Sequence, residues 1–259
     1  MMKTGVMICG HGSRDPEATA EFARMAARLK ARLPESDVEH GYLEFARPTI
    51  REGFAMLAAR RAQRILAVPV MLLAARHVTT DLPSEINRFS ADFPQIEMCF
   101  GRALSIEPKL LNAAIARIEE GERRGTRAAT RTESLLLVIG RGANDPEANA
   151  DIGTLARTLR EAMGFGRAEV SYSGTAAPLT EPALRQAATL GFKRIVVFPY
   201  FLFTGVLVKR IGAACDRVAA DHPAIEIIKT PYLGDHPLLL DCLLDRIAEI
   251  IDSTPASTM

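Results

Sequence analysis

The sequence predicts an α/β fold built as two tandem repeats, each a four-stranded parallel sheet of strand order 2-1-3-4 flanked by helices, in a bilobal arrangement. Three observations carry this expectation. Short β-branched or apolar runs alternate with longer segments of helical period, the pattern of βαβ units and a parallel sheet. The segment Gly10-His11-Gly12-Ser13-Arg14-Asp15-Pro16-Glu17-Ala18 returns as Gly140-Arg141-Gly142-Ala143-Asn144-Asp145-Pro146-Glu147-Ala148, an offset of 130 residues from His11 to Arg141. The same offset pairs Pro48 with Pro178 and the run 64–69 with the run 194–199, so the frame holds without a gap across most of each half.

In the first half, strands are expected near Val6 to Cys9, Val38 to Leu43, Arg64 to Val70 and Gln95 to Phe100. Helices are expected over Pro16 to Leu33, Pro48 to Ala62, Thr80 to Phe89 and Glu107 to Glu120. Pro16 and Pro48 suit a first helical turn, where a missing N–H costs nothing. The second half repeats the plan with strands near Leu135 to Ile139, Ala168 to Tyr172, Arg194 to Tyr200 and Ile225 to Ile228. Its last helix, Pro237 to Ile251, leads into a polar tail that is expected to fray. Pro94 pairs with Pro223 and Pro108 with Pro237 at an offset of 129, which a one-residue loop deletion produces.

The division that follows is an N-terminal repeat over 1–120, a linker over 121–133 and a degenerate C-terminal repeat over 134–259. In the linker, Gly, Thr, Arg and Glu replace apolar periodicity, and Arg123, Arg124, Arg127 and Arg131 read as surface charges. A chain of 259 residues suits two domains of ordinary size, and its 48% hydrophobic and 24% charged residues describe a globular protein. No run reaches the roughly 18 apolar residues of a membrane span. The start lacks the apolar region and cleavage site of a secretory signal, so a cytoplasmic location is expected. Cys9, Cys99, Cys215 and Cys242 lie far apart, with no Cys-x-x-Cys pair, and read as small apolar residues in a reducing compartment. The net charge of +1 gives no reason to expect a nucleic-acid partner.

Within the repeat frame, His11, Glu44 and His77 fall opposite Arg141, Gly174 and Leu207, so the first half holds potential metal ligands and proton carriers that the second has lost. In the strand order above, His11 follows the first strand, Glu44 the second, and His77 lies in the loop after the third. All three therefore meet at the carboxyl ends of one sheet, where such folds gather ligands. Two imidazoles and a carboxylate suit a borderline divalent transition metal and can accept protons near neutral pH. The glycines on both sides of His11 suggest that backbone must come close to a ligand. His40, His222 and His236 read as structural or surface groups.

Gly-His-Gly-Ser-Arg-Asp-Pro at 10–16, Gly-Tyr-Leu-Glu-Phe-Ala-Arg-Pro-Thr at 41–49 and Val-Pro-Val-Met-Leu-Leu-Ala-Ala-Arg-His-Val-Thr-Thr-Asp-Leu-Pro at 68–83 resemble the sirohydrochlorin chelatase family, the class II chelatases of the CbiX type. Phe198 to Gly205 is similar to the family's second repeat, so the likeness covers both halves. It implies insertion of cobalt, or in relatives iron or nickel, into a tetrapyrrole on the way to cobalamin, siroheme or related cofactors. It further implies His11 and His77 as metal-binding and catalytic residues facing a cleft between paired lobes, with Glu44 as an accessory acid or base. The metal is then a substrate, and no permanently bound cofactor is expected.

Such a macrocycle carries many acetate and propionate groups, for which Arg14, Arg47, Arg76, Arg141, Lys209 and Arg210 stand at suitable loop positions. The runs Met71-Leu72-Leu73 and Phe201-Leu202-Phe203 could offer faces to a ring, but core packing is the favoured use. The only expected partner is the small-molecule tetrapyrrole, with no membrane. A monomer is chemically sufficient, and a homodimer stays open. Cobalt insertion is the leading expectation, with ferrochelatase activity for siroheme beside it. Two other classes compete: a non-catalytic metal or tetrapyrrole carrier, separated by turnover, and a phosphoryl-transfer enzyme. The last lacks both the Arg-His-Gly pattern of phosphohistidine hydrolases and a Walker-type lysine.

Overall fold

A computed structural model describes residues 2–73, 77–143 and 146–253. The first sheet comprises β1 (Thr4–Gly10), β2 (Asp37–Tyr42), β3 (Arg64–Pro69) and β4 (Glu97–Phe100), all parallel in the order β2-β1-β3-β4. The second comprises β5 (Ser134–Gly140), β6 (Arg167–Tyr172), β7 (Arg194–Pro199) and β8 (Glu226–Lys229) in the order β6-β5-β7-β8. The helices are α1 (Pro16–Ala31), α2 (Ile50–Ala59), α3 (Leu82–Asp92), α4 (Pro108–Glu122), α5 (Pro146–Met163), α6 (Thr180–Ala188), α7 (Val206–Asp221) and α8 (Pro237–Ser253). Among the described residues no helix is long and apolar enough to cross a membrane. The central strands are apolar on both faces because helices cover both, which is why β1 and β5 read as continuous runs rather than alternating ones. Met7 and Cys9 join Phe54, Leu57, Ile65 and Phe89 in one core, and Leu135, Leu137 and Ile139 join Leu184, Ile195 and Val218 in the other.

The duplication persists at the level of single hydrogen bonds. The Tyr42 hydroxyl donates to the Thr19 carbonyl at 3.0 Å, and that of Tyr172 to Asn149 at 3.1 Å. Arg64 meets Glu97 at 2.8 Å across β3 and β4, and Arg194 meets Glu226 at 2.8 Å across β7 and β8.

Packing divides the chain differently from the repeat. One compact unit is Met1–Glu107 with Pro237–Met259, and the other is Pro108–His236. The last helix of each repeat therefore serves the other repeat's sheet: α4 packs on β7 and α5, and α8 on β3 and α1. One arginine anchors each. Arg246 of α8, 1% exposed, donates from Nε to the Ala103 carbonyl (3.2 Å) and from Nη2 to that of Leu104 (2.9 Å), and pairs with Glu107 and Glu249. Arg117 of α4, its counterpart, donates twice to the Leu233 carbonyl, at 3.1 and 3.0 Å, and pairs with Glu120. Periodicity marks a helix's apolar stripe but not the sheet it covers, so the division at 120 and 134 reads the repeat and not the packing.

Three local expectations change. Pro48 precedes α2 through a cis bond from Arg47, and α2 starts instead from a capping box in which Thr49 Oγ1 accepts from the Glu52 amide and Glu52 accepts from Thr49 N–H. The Pro48 carbonyl is used by the Tyr42 amide at 2.9 Å, and Pro178 is used likewise by Tyr172. His77 does not lie in a loop: it opens a π-helical turn, His77–Asp81, that runs into α3, whereas the matching start of α7 is plain α-helix. The linker is not simply solvated. Its residues Arg131–Glu133 form a short 3₁₀ turn in which Arg131 pairs with Glu122 at 2.7 Å, and Arg127 donates to the carbonyls of Pro223 and Ala224.

Candidate active site

At the carboxyl end of the first sheet, β1 delivers His11 and β2 delivers Glu44. Two backbone hydrogen bonds splice these exits together: the Leu43 amide donates to the Gly10 carbonyl at 2.9 Å, and the Glu44 amide to that of His11 at 3.0 Å. The side chains meet as well, with His11 Nε2 lying 3.3 Å from Glu44 Oε1. On its other edge the imidazole places Nδ1 3.0 Å from the Gly12 carbonyl. A carbonyl oxygen and a carboxylate both only accept, so each ring nitrogen faces an acceptor: a neutral ring donates to one of them and an imidazolium to both. His11 is 21% exposed at its side chain and Glu44 43%, so solvent or a ligand reaches the pair.

The glycines beside His11 serve the protein itself. A Cβ at Gly12 would stand 1.8 Å from the Glu44 carbonyl oxygen, and Gly12 has φ +94°. A Cβ at Gly10 would meet the Phe22 ring at 2.7 Å. The close approach that the structure shows is between the two strand exits and against α1.

Of the other predicted residues, Arg14 stands beside the pair, exposed, its guanidinium carbon 4.7 Å from the ring centre of Phe45. Arg47 is on the same loop but ion-paired with Glu52. The hydrogen bond from the Thr49 amide, then the Arg47 charge beside it, hold the Glu52 carboxyl below the usual range. Arg76 and the side chain of His77 lie outside the described residues, and the His77 backbone starts the π-helical turn after β3.

The second sheet keeps this layout with other chemistry. Arg141 follows β5 and is exposed, and Lys209 and Arg210 are exposed in the first turn of α7, Arg210 donating to the Ser173 carbonyl at 3.3 Å. Around them the three counterpart positions converge. A Cβ on Gly174 would lie 2.4 Å from the Arg141 carbonyl, and the neighbouring Ser173 hydroxyl donates to the Leu207 carbonyl at 3.0 Å. The other histidines are structural: His40 sits in β2 against Phe22 and Tyr42, where burial lowers its pKa, and His222 caps α7. His236 precedes α8, and burial, then the Arg117 charge, lowers its pKa.

Sequence reasoning passed over one residue, Phe45. Its ring is exposed at 51% and lies 6.3 Å from that of His11. A large apolar side chain directly after a candidate catalytic carboxylate, outside any apolar period, was the available signal.

The chain is similar to known proteins over most of its length. The CbiX family model matches residues 5–121 and 135–250. A sirohydrochlorin cobaltochelatase of Priestia megaterium is 35% identical over 94% of this chain and 79% of its own length. A sirohydrochlorin ferrochelatase of the same organism is 30% identical over 97% and 92%. Among solved structures, SirB from Bacillus subtilis with Fe3+ superposes with a TM-score of 0.83 at 27% identity, covering 96% of both chains.

Proposed function

We propose, from the premise that this chain belongs to the CbiX family, that it is a sirohydrochlorin chelatase whose metal substrate is cobalt. The observation that carries the mechanism is the His11–Glu44 pair: one ring nitrogen committed to a backbone carbonyl, the other facing a carboxylate in reach of solvent. Metal insertion requires the ion to shed most of its water and the macrocycle to lose two pyrrole protons. His11 Nε2 suits both tasks in turn. In the tautomer that is protonated on Nδ1, its lone pair binds the incoming ion while leaving positions open for ring nitrogens, and then accepts one displaced proton, the second passing to the solvent that reaches the pair. Glu44, 3.3 Å away, stabilises the imidazolium so formed. The Nδ1–H to Gly12 contact fixes ring orientation throughout.

His77 is assigned as the second metal-binding imidazole. Support comes from the second sheet, where the counterparts of His11, Glu44 and His77 are drawn together by the Gly174 and Ser173 contacts. A site with few protein ligands is required, since a closed four-ligand shell would retain the ion. Arg14, Arg47, Arg76, Arg141, Lys209 and Arg210 are assigned to substrate carboxylates, which charged donors seat and steer.

The test is an insertion assay with purified protein, sirohydrochlorin and cobalt, iron or nickel, followed by tetrapyrrole absorbance. Cobalt is expected to give the highest kcat/KM, and product is expected to exceed one equivalent of enzyme. Faster iron insertion would move the assignment to siroheme formation, the activity of the 30% identical relative. Stoichiometric product alone would make the chain a carrier. His11→Ala and His77→Ala are each expected to depress turnover by about 10²-fold or more, and wild-type rates in either would remove that residue's role.

A further inference from the structure

The loop after β2 holds an aromatic residue that packing does not explain. Phe22, Phe54 and Phe89 of this unit are buried and Phe100, at the end of β4, is 38% exposed, whereas Phe45 is 51% exposed. Its backbone is unusual too. The Ala46 amide donates to the Glu44 carbonyl at 2.9 Å, closing a three-residue turn with Phe45 at its centre and φ +64°. That hand of turn is rare and strained, and bulky side chains seldom occupy it. Here the flanks enforce it. Glu44 is tied to His11, and Tyr42 to Pro48, leaving the intervening residues no extended path. Thr175, at the matching position of the second repeat, does not have positive φ. Strain of this kind persists where the surroundings over-determine it and clusters at ligand sites.

The turn sets the Phe45 ring 6.3 Å from the His11 ring at a 31° tilt, with the Arg14 guanidinium 4.7 Å from its centre. An aromatic ring beside a metal-binding imidazole, with a cation held over one face and the ring half exposed, matches the outline of a flat, conjugated, polycarboxylate ring that stacks on the other face. We propose that Phe45 is the stacking platform for the tetrapyrrole substrate, aligning the ring beside His11 Nε2, and that Arg14, held against Phe45, takes one of its carboxylates. This deepens the chelatase reading and rests on it.

The experiment measures binding of metal-free sirohydrochlorin to the full chain by absorbance titration, together with separate KM values for sirohydrochlorin and cobalt. Phe45→Leu keeps bulk without a π face, Phe45→Tyr keeps the face, and Phe45→Gly removes the ring while suiting the positive φ. Loss of stacking is expected to weaken sirohydrochlorin binding about tenfold in both Leu and Gly variants, with Tyr within about twofold of wild type. The KM for cobalt is expected to stay unchanged. Wild-type affinity in the Leu and Gly variants overturns the platform while leaving chelation intact. Equal rises in both KM values overturn it as well, because a general disturbance of the site would then explain the loss. A wild-type protein that neither binds nor metallates sirohydrochlorin overturns this inference and the chelatase reading together.

Discussion

Gly12→Ala places the smallest possible side chain at the most crowded point of the site. The new Cβ would stand 1.8 Å from the Glu44 carbonyl oxygen, where ordinary contact begins at 3.4 Å, so that oxygen must retreat by about 1.6 Å. It is also the acceptor that closes the Phe45 turn, and its residue carries the carboxylate facing His11. The backbone adds its own cost, because φ +94° is a conformation L side chains resist, at about 1–2 kcal/mol. With overpacking of about 1–3 kcal/mol, the total is about 2–5 kcal/mol, and at about 2–4 °C per kcal/mol for a chain this size Tm should fall by about 4–20 °C. A misplacement of this size in a catalytic pair costs about 10²-fold in rate. Calorimetry gives the first number, and cobalt insertion into sirohydrochlorin, run well below the variant's Tm, gives the second. A Gly12→Ala protein with wild-type turnover would refute the coupling of Glu44 to His11 through this contact.

Arg246→Met removes the donor shared by two buried carbonyls and two carboxylates, and is expected to cost about 3–5 kcal/mol in denaturant unfolding; a loss below about 1 kcal/mol would contradict the anchoring role. In the same variant Glu107 should titrate higher, because burial, its largest influence, pushes its carboxyl up and the hydrogen bonds from Arg246 and Arg102 now hold it below the usual range. His40 has a pKa lowered by burial, so the folded state resists its protonation and the unfolded state does not. Stability is therefore lost as pH falls through about 6.5, the unfolded value. His40→Gln should flatten the decline in Tm between pH 7.5 and 5, and parallel curves for the two proteins would rule the effect out. Of the four free cysteines, Cys9, Cys215 and Cys242 are buried, and burial raises the Cys9 thiol and pushes that of Cys215 up to about 12. A thiol reagent at pH 8 should modify Cys99 alone until denaturant is added, as mass spectrometry of the labelled peptides would show.

Strand order and the meeting of His11 with Glu44 were legible because both follow from alternation and repeat, which are written in residue types. Period identifies a strand as central, and a central strand's carboxyl end is where its next residue must emerge. What escaped depends on contacts between distant segments. Nothing local distinguishes Pro48 as a turn residue from Pro16 as a helix starter until Thr49 and Glu52 are seen to share a capping box. The partner of Gly12 is a carbonyl over 30 positions away, so its flexibility looked like room for a ligand. Phe45 was hidden for the opposite reason: apolar residues are assigned to cores by default, and only its exposure and backbone hand set it apart.

The exchange of α4 and α8 bears on the order in which this protein can mature. Domains emerging from a ribosome generally fold from the amino terminus, as units, at about 5–20 residues per second of synthesis. The first sheet is fully translated by Phe100, yet the helix that lies on β3 and α1 begins only at Pro237. Until then the carbonyls of Ala103 and Leu104 wait without their arginine. The second unit, bounded by Pro108 and His236, has all its parts in one stretch and can close first. The unit that carries His11 and His77 is thus begun earliest and finished last, so a nascent chain cannot complete it before α8 is made.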